Sequence, residues 1–394
     1  MQVRYSYLKD KFTQQVAYDI FDKMWRDVVS TGDFTLGKAV KEFEKKFAAV
    51  MGVKHAIGVA NGTDALELSL WANGVRAGDE VIAPANTFVA SLGAIGNLQA
   101  KPVLVDIGHD YVMNADNIEK AITEKTKAIM PVHFCGNPVD MDKVLSIANK
   151  HKLSVIEDAC QAYLAEYKGK CVGSFGDCGA FSLHPLKILN VMGDGGMITT
   201  NSDMLYKELR LLQNHGLHDR DTITRFPCRN SRLDSIHAVV GDYQMSDVPG
   251  NVKKRRENAA FFDRKLKDCV SIIPRNQNFL SCYHLYFFEV DATIRDQLYN
   301  HLIFSGIDAK IHYKTPLYQQ VGLEGLGYKK GDFPLSDYLC DRIITLPVDE
   351  HMTSYMKEHC VETIKRFMQT HKDIEKGKEI CLSNQKPKEE SFMN

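Results

Sequence analysis

The sequence is organised around one stretch, 155–200, which reads VIEDACQAYLAEYKGKCVGSFGDCGAFSLHPLKILNVMGDGGMITT. It begins with an apolar run that ends in two acids, Glu157 and Asp158, and it later reaches Lys187 and a glycine cluster at 193–196. A short apolar run is typical of a strand buried on both faces, so the acid that ends it lies at the carboxyl edge of a sheet, where α/β proteins bind ligands. Asp158 is therefore a candidate site residue.

Lys187 follows a second apolar segment in the pattern Ser-x-x-Pro-x-Lys. The neighbouring Ser182, His184 and Pro185, with glycines further on, predict a tight loop rather than a solvated helix face. An acid that keeps a pyridine nitrogen protonated, a hydroxyl that meets a phosphate and a lysine able to form a Schiff base are the parts that pyridoxal 5′-phosphate (PLP) chemistry needs from a protein. Asp158, Ser182 and Lys187 match these three parts.

The succession of EDACQ, FSLHPLK and GDGG at this spacing resembles the DegT/DnrJ/StrS family of PLP-dependent sugar aminotransferases. The resemblance extends from about Phe34 to Phe367 and so covers most of the chain. It implies the fold-type-I α/β architecture, with PLP or its amine form PMP as cofactor.

Short strands and helices alternate over the first two thirds of the chain, which predicts a mostly parallel sheet with helices on both faces. The predicted strands are 55–60, 80–84, 102–106, 128–133, 155–158, 179–183 and 197–200, and the predicted helices include 14–30, 39–51, 115–122, 141–151 and 203–213. The pattern changes near Val248. We therefore expect a large domain over 1–248 and a smaller α+β domain over 249–370. The polar stretch 371–394 lacks periodicity, which predicts a disordered tail.

The smaller domain is predicted from a second set of elements. A basic amphipathic helix, 252–267, connects the two domains, and its basic side is interpreted as a solvated face. The elements that follow are strands at 283–290, 309–313 and 343–346 and helices at 296–304 and 352–368.

Composition excludes several classes of function. The 394 residues are 44% hydrophobic and 25% charged, and 49 Lys and Arg balance 50 Asp and Glu, which gives no field for nucleic acid or an anionic membrane. No apolar run approaches the roughly 18 residues of a membrane span, and the charged N-terminus does not resemble a secretory signal. Ten cysteines without a Cys-x-x-Cys pair indicate reduced thiols in a cytoplasmic protein and predict no metal site.

The strand predicted at 55–60 is followed directly by Gly62, Thr63 and Asp64 at the start of a helix. Backbone N–H groups at a helix N-terminus form a phosphate cradle, although such a segment often only caps the helix. The resemblance implies that these three residues hold the PLP phosphate. It also favours Phe88, which follows the strand at 80–84, as an aromatic stacked on the cofactor ring, where stacking contributes about 1 kcal/mol beyond burial.

The resemblance implies further site residues. Gln161 corresponds to the glutamine that reaches the PLP ring, and Asn230 to the asparagine that touches the phosphate of the neighbouring subunit, which implies a homodimer with shared active sites. The loop departs from the family pattern at Cys228, where glycine is usual. Substrate contacts are expected from His184, Arg232 and the pair His312–Tyr313.

The resemblance predicts transfer of an amino group from an amino acid to a keto-sugar. L-Glutamate is the family's usual donor, and the expected substrates are nucleotide-linked sugars of glycan or polysaccharide biosynthesis. One alternative is a sugar dehydratase on the same scaffold, in which histidine replaces the lysine, and Lys187 argues against it. Another is a non-catalytic regulator that senses PLP or a sugar, which the complete set Asp158, Gln161, Ser182 and Lys187 disfavours. The sequence does not identify the sugar, its nucleotide, the ketone position or the stereochemistry of the amine.

Overall fold

The computed structural model describes residues 1–274 and 278–384. Its strands are β1 (His55–Val59), β2 (Glu80–Pro84), β3 (Lys101–Val105), β4 (Thr126–Ile129), β5 (Ser154–Asp158), β6 (Glu166–Tyr167), β7 (Lys170–Cys171), β8 (Cys178–Ser182), β9 (Gly196–Thr200), β10 (Ser271–Ile272), β11 (Phe279–Leu280), β12 (Tyr286–Glu289) and β13 (Ile343–Leu346). Seven of them form one sheet in the order β1-β9-β8-β5-β4-β2-β3. Strand β9 is antiparallel to both of its neighbours and the remaining pairs are parallel, so the predicted mostly parallel sheet is confirmed.

Helices connect these strands and cover both faces of the sheet. They are α1 (Leu8–Lys11), α2 (Gln14–Met24), α3 (Lys38–Met51), α4 (Gly62–Ala72), α5 (Val89–Asn97), α6 (Met141–His151), α7 (Asp203–Leu212), α8 (Ser235–Gln244), α9 (Val248–Leu266), α10 (Ala292–Phe304), α11 (Pro334–Cys340) and α12 (Ser354–Asn384). Helix α2 continues into a π-helical turn at Trp25–Val29, which completes the helix predicted to reach residue 30.

Two of the predicted elements are wrong. The helix expected at 115–122 is a pair of 3₁₀ turns, Ala115–Asn117 and Glu119–Ala121. The side chain of Asn114 accepts from the backbone of Asp116 and tightens the chain at its start, while Ala115 and Ile118 are buried in the core. The strand expected at 309–313 is reduced to one bridge, Lys310 to Thr345, because the chain then turns away from the sheet.

Two large hydrophobic clusters cover the two faces of the seven-stranded sheet. Along β5, Val155 belongs to one cluster and Ile156 to the other, as expected for side chains that alternate across a strand. Glu157 and Asp158 continue this alternation, so neighbouring acids in the sequence point to opposite faces.

A third cluster lies under the small antiparallel sheet β10-β12-β13 and is built from α9, α10 and α12. Helix α9 is shared: its Val252 packs in a cluster of the large sheet, and its Phe262 packs in the third cluster. Val3 also belongs to the third cluster, so the N-terminus packs with the C-terminal part of the chain. The division into 1–248 and 249–370 stays a prediction.

The end of the chain bears on the disordered tail expected over 371–394, which stays a prediction. Helix α12 continues through residues 371–384, because extending an existing helix costs little and this stretch is rich in the strong helix formers Glu and Lys. Residues 385–394 lie outside the described part. Across the residues that the structure describes, every helix is too short or too polar to cross a membrane.

Candidate active site

A cavity of about 310 Å³ lies at the carboxyl edge of the large sheet. Segments that follow β1, β2, β4, β5 and β8 meet there, together with residues of the C-terminal part and of the N-terminus. Among the predicted site residues, the cavity is lined by Gly62, Thr63, Phe88, Asp158, Gln161, Ser182, His184, Lys187, His312 and Tyr313. Asp64, Asn230 and Arg232 are not part of its lining.

Asp158 ends β5 and lines this cavity, and only 5% of the residue is exposed to solvent. One carboxylate oxygen accepts from the Ser91 hydroxyl at 2.7 Å, and the other accepts from the backbone N–H of Cys160 at 3.1 Å. The Ser91 hydroxyl is also 2.9 Å from that of Thr87. Hydrogen bonds to both oxygens fix the orientation of the carboxylate.

Ser91 was missed in the sequence. It is fully buried in the first turn of α5, and its hydroxyl contacts that of Thr87, which precedes the helix. A hydroxyl residue in an otherwise apolar helix was the available signal.

Glu157 points to the opposite face and has a structural environment. Its carboxylate accepts from three backbone N–H groups, those of Gly173, Phe175 and Gly176, at 2.6–2.7 Å. His133 lies 3.0 Å away, and because its Nδ1 accepts from the Val139 backbone, its Nε2 carries the proton that it donates to Glu157. Both side chains are fully buried. Glu157 therefore holds the loop before β8, and His133 supports it.

Lys187 lies in the tight turn that follows β8. Its backbone N–H donates to the carbonyl of His184 at 2.8 Å, and the His184 N–H donates to the Ser182 hydroxyl at 3.3 Å. Burial lowers the pKa of Lys187, and the nearby Cys160 and Asp158 oppose this only in part. A lowered pKa increases the fraction of free amine at neutral pH, which is the form that attacks a carbonyl.

The N-terminus of α4 forms one end of the cavity. Asn61 caps the helix by accepting from the Asp64 backbone at 2.8 Å, so the Asp64 amide is occupied, whereas Gly62 and Thr63 open the first turn at the cavity. A Cβ on Gly62 would lie 2.8 Å from the Cβ of Ser182, so only glycine permits this close approach. The cavity therefore offers an anion site of helix amides beside a hydroxyl.

Gln161 and Phe88 complete the large-domain wall. The Gln161 side-chain oxygen accepts from the backbone N–H of Cys135 at 2.8 Å, which fixes the side chain in the cavity. Phe88 is 51% exposed at the N-cap of α5. An exposed aromatic ring on a cavity wall is available for stacking, which stays a prediction.

Three aromatic and imidazole groups enter from the C-terminal part. Burial, with Lys310 and Lys187, lowers the pKa of His312 to about 4, and burial, with Lys187 and Arg255, lowers the pKa of His284 well below its usual value. Both imidazoles are thus neutral at pH 7. Burial also raises the pKa of Tyr313, so its hydroxyl stays protonated. His284 carried no local signal in the sequence.

Asn230 and Arg232 remain outside the cavity of their own chain. Asn230 is exposed and forms a backbone bridge with Asn214, whose side chain accepts from Arg232 at 3.1 Å. The preceding Arg229 forms an ion pair of 2.6 Å with the buried Glu67 on α4. The segment is therefore anchored to the helix that starts the anion site.

A second group of potential ligands lies elsewhere. Asp349, Glu350 and His351 bring their ligand atoms close together, a cluster that no spacing in the sequence indicated. Arg255 forms ion pairs with Glu350 at 2.6 Å and with Asp349 at 3.2 Å, so one guanidinium already engages both acids.

A model of the DegT/DnrJ/EryC1/StrS aminotransferase family matches residues 18–365 of the chain. The protein belongs to this family. Among curated relatives, the pleiotropic regulatory protein of Geobacillus stearothermophilus is 38% identical over 86% of this chain and 92% of its own length. The dTDP-3-amino-3,6-dideoxy-α-D-galactopyranose transaminase of Aneurinibacillus thermoaerophilus is 38% identical over 86% of this chain and 93% of its own length.

Solved structures of DegT-family proteins share the fold. The structure of NtdA from Bacillus subtilis, with bound PMP, superposes with a TM-score of 0.88 at 27% identity and covers 93% of this chain and 85% of that one. Members of the family use PLP, and the cavity described above fits this cofactor. The backbone amides at the start of α4, where a Cβ on Gly62 would clash with Ser182, suit the phosphate of the cofactor. Asp158 suits its protonated ring nitrogen, and Lys187 suits its aldehyde.

Proposed function

We propose that the protein transfers an amino group from an amino acid, L-glutamate, to a nucleotide-linked keto-sugar. The observation that carries this proposal is that a desolvated lysine, a doubly hydrogen-bonded carboxylate and a helix N-terminus line one cavity. When bound there, PLP supplies an electron sink that stabilises negative charge on the donor's Cα.

Each residue has a distinct part in this proposal. Asp158 holds the proton on the pyridine nitrogen, and Ser91 and the Cys160 amide keep its carboxylate in place. Lys187 binds the cofactor, and its freed amine moves the proton from the donor's Cα. Gly62, Thr63 and Ser182 hold the phosphate, while Phe88 and Gln161 contact the ring.

The second part of the proposal is a homodimer whose active sites are shared. Asn230, with Arg232 two residues on, lies outside its own cavity, and the loop that precedes it has the exposed side chains Ile223 and Phe226, the latter 89% exposed. An isologous dimer that covers these side chains and delivers Asn230 to the partner's phosphate site explains both observations. Such an enzyme would act in the cytoplasm, where its nucleotide-linked substrates are made.

The test is a panel of nucleotide-linked keto-sugars incubated with PLP and L-glutamate, with products identified by mass. The expected product is an amino-sugar formed together with 2-oxoglutarate, and the Lys187→Ala protein should form neither. Loss of water from the sugar without transfer of nitrogen would indicate the dehydratase instead. Binding of a sugar without any turnover would indicate the regulator.

A further inference from the structure

The N-terminal segment, residues 3–11, connects the C-terminal core to the catalytic loop. At one end, Val3 is buried in the third cluster, its N–H donates to Gly306 at 2.8 Å, and its carbonyl accepts from Asp308 at 2.9 Å. At the other end, the ammonium group of Lys11 donates at 2.8 Å to the carbonyl of Ile188, the residue after Lys187. The segment is therefore held at both ends.

Tyr5 lies between these two anchors and lines the catalytic cavity. Its backbone N–H donates to the carboxylate of Asp308 at 3.3 Å. Its ring stacks on the imidazole of His312, with 5.9 Å between centroids and 27° between planes, and the ammonium group of Lys310 lies 5.8 Å from the ring centroid. These contacts fix the ring as part of the cavity wall.

The hydroxyl of Tyr5 is a neutral hydrogen-bond donor. Burial raises the pKa of Tyr5, so the phenol stays protonated across the physiological range. Within the part of the chain that the structure describes, this hydroxyl has no hydrogen-bond partner, and the side chain is half-buried on the cavity wall. A hydroxyl on a cavity wall that has no partner in the protein is free to donate to a ligand atom.

The neighbours of Tyr5 in the cavity indicate the class of that ligand. His284 and His312 are neutral at pH 7 and Tyr313 keeps its proton, so these three side chains offer hydrogen bonds and carry no charge of their own. A wall of this kind suits the uncharged oxygens of a sugar better than the carboxylates of an amino-acid donor.

We propose that Tyr5 binds the sugar, with its ring forming a wall of the sugar site and its hydroxyl donating to a sugar oxygen. This inference rests on the proposed function and names the residue that positions the acceptor. It also gives the N-terminal segment a role, because the two anchors hold Tyr5 against His312 in the cavity that Lys187 also lines.

The experiment compares Tyr5→Phe with Tyr7→Phe in the full-length enzyme loaded with PLP. Tyr7 lies on the same segment outside the cavity lining, and its hydroxyl contacts the Arg4 backbone at 3.1 Å and the sulfur of Met356 at 3.3 Å. Tyr5→Phe should raise the KM for the keto-sugar by about 2- to 10-fold, the effect of one neutral hydrogen bond, and leave the KM for L-glutamate unchanged. Tyr7→Phe should change neither constant.

Thermal unfolding and the spectral change on adding L-glutamate alone separate this role from a structural one. Both should match the wild type in Tyr5→Phe. Equal changes in the two KM values, a change for L-glutamate alone, or no change in either would overturn the assignment to the sugar site. Failure of the wild type itself to aminate any keto-sugar would instead count against the proposed function, so the two failures are distinguishable.

Discussion

Adjacent acids at the end of β5 should have separable roles, which single substitutions can reveal. In Glu157→Gln, one oxygen that accepts two hydrogen bonds becomes an NH₂ group that faces donors. A hydrogen bond to a charged group contributes about 1.5–3 kcal/mol, so losing two should lower the free energy of unfolding by about 3–6 kcal/mol. That is a large share of the roughly 5–15 kcal/mol that typical domains have.

Asp158→Asn should behave in the opposite way. The asparagine carbonyl still accepts one hydrogen bond, and the Ser91 hydroxyl can reverse to accept from the new NH₂ group, so the free energy of unfolding should change by less than about 1 kcal/mol. Loss of the charge that holds the ring proton should nevertheless lower turnover by about 10²–10³-fold or more.

Urea unfolding followed by circular dichroism measures the first effect, and a coupled assay of 2-oxoglutarate measures the second. Both should be run at saturating PLP, because bound cofactor adds to the stability of the folded state. Glu166→Gln is the matched control, because the Glu166 carboxylate is partly exposed and forms a long ion pair of 3.7 Å with Arg256. The reasoning fails if Glu157→Gln is as stable as this control, or if Asp158→Asn loses as much stability as Glu157→Gln.

Three other outcomes are expected. Borohydride reduction of the purified protein should attach the cofactor to Lys187, and a labelled peptide containing another lysine would contradict the assignment. Mixing inactive Lys187→Ala protein with an inactive Asn230→Ala, Arg232→Ala double variant should restore activity well above either parent, unless both residues serve their own chain. The free energy of unfolding should rise between about pH 4 and 6.5. The pKa of His312 is lowered to about 4 in the folded state, so the unfolded chain binds one more proton than the folded chain in this window. His312→Gln should reduce this slope, whereas the exposed control His218→Gln should not.

The features that could be predicted from the sequence are those encoded within a few residues. Asp158 and Ser182 each end a strand, and Gly62 starts the helix that follows another, so a single local pattern places all three at one edge of the sheet. Lys187 follows from the turn chemistry of its own segment.

Residues placed by long-range packing could not be found this way. Ser91 meets Asp158 across 67 positions of sequence, and Tyr5 meets Asp308 across 303. No periodicity links such pairs, because the contact depends on how whole elements pack. The same cause explains the error at 309–313, where local β-propensity predicts a strand but the chain forms only the bridge from Lys310 to Thr345.

Helix α4 places two structural roles on one rigid element. Gly62 opens the anion site, and Glu67, about 7–8 Å further along the axis at 1.5 Å per residue, holds Arg229 and the segment proposed to cross between subunits. Phosphate bound at one end would immobilise the same helix that orients the segment at the other. Coupling of this kind is reciprocal: a cofactor that strengthens association of the subunits is bound more tightly by the dimer than by the separate subunits. The dimer depleted of cofactor would therefore dissociate into subunits at a higher protein concentration than the dimer with cofactor.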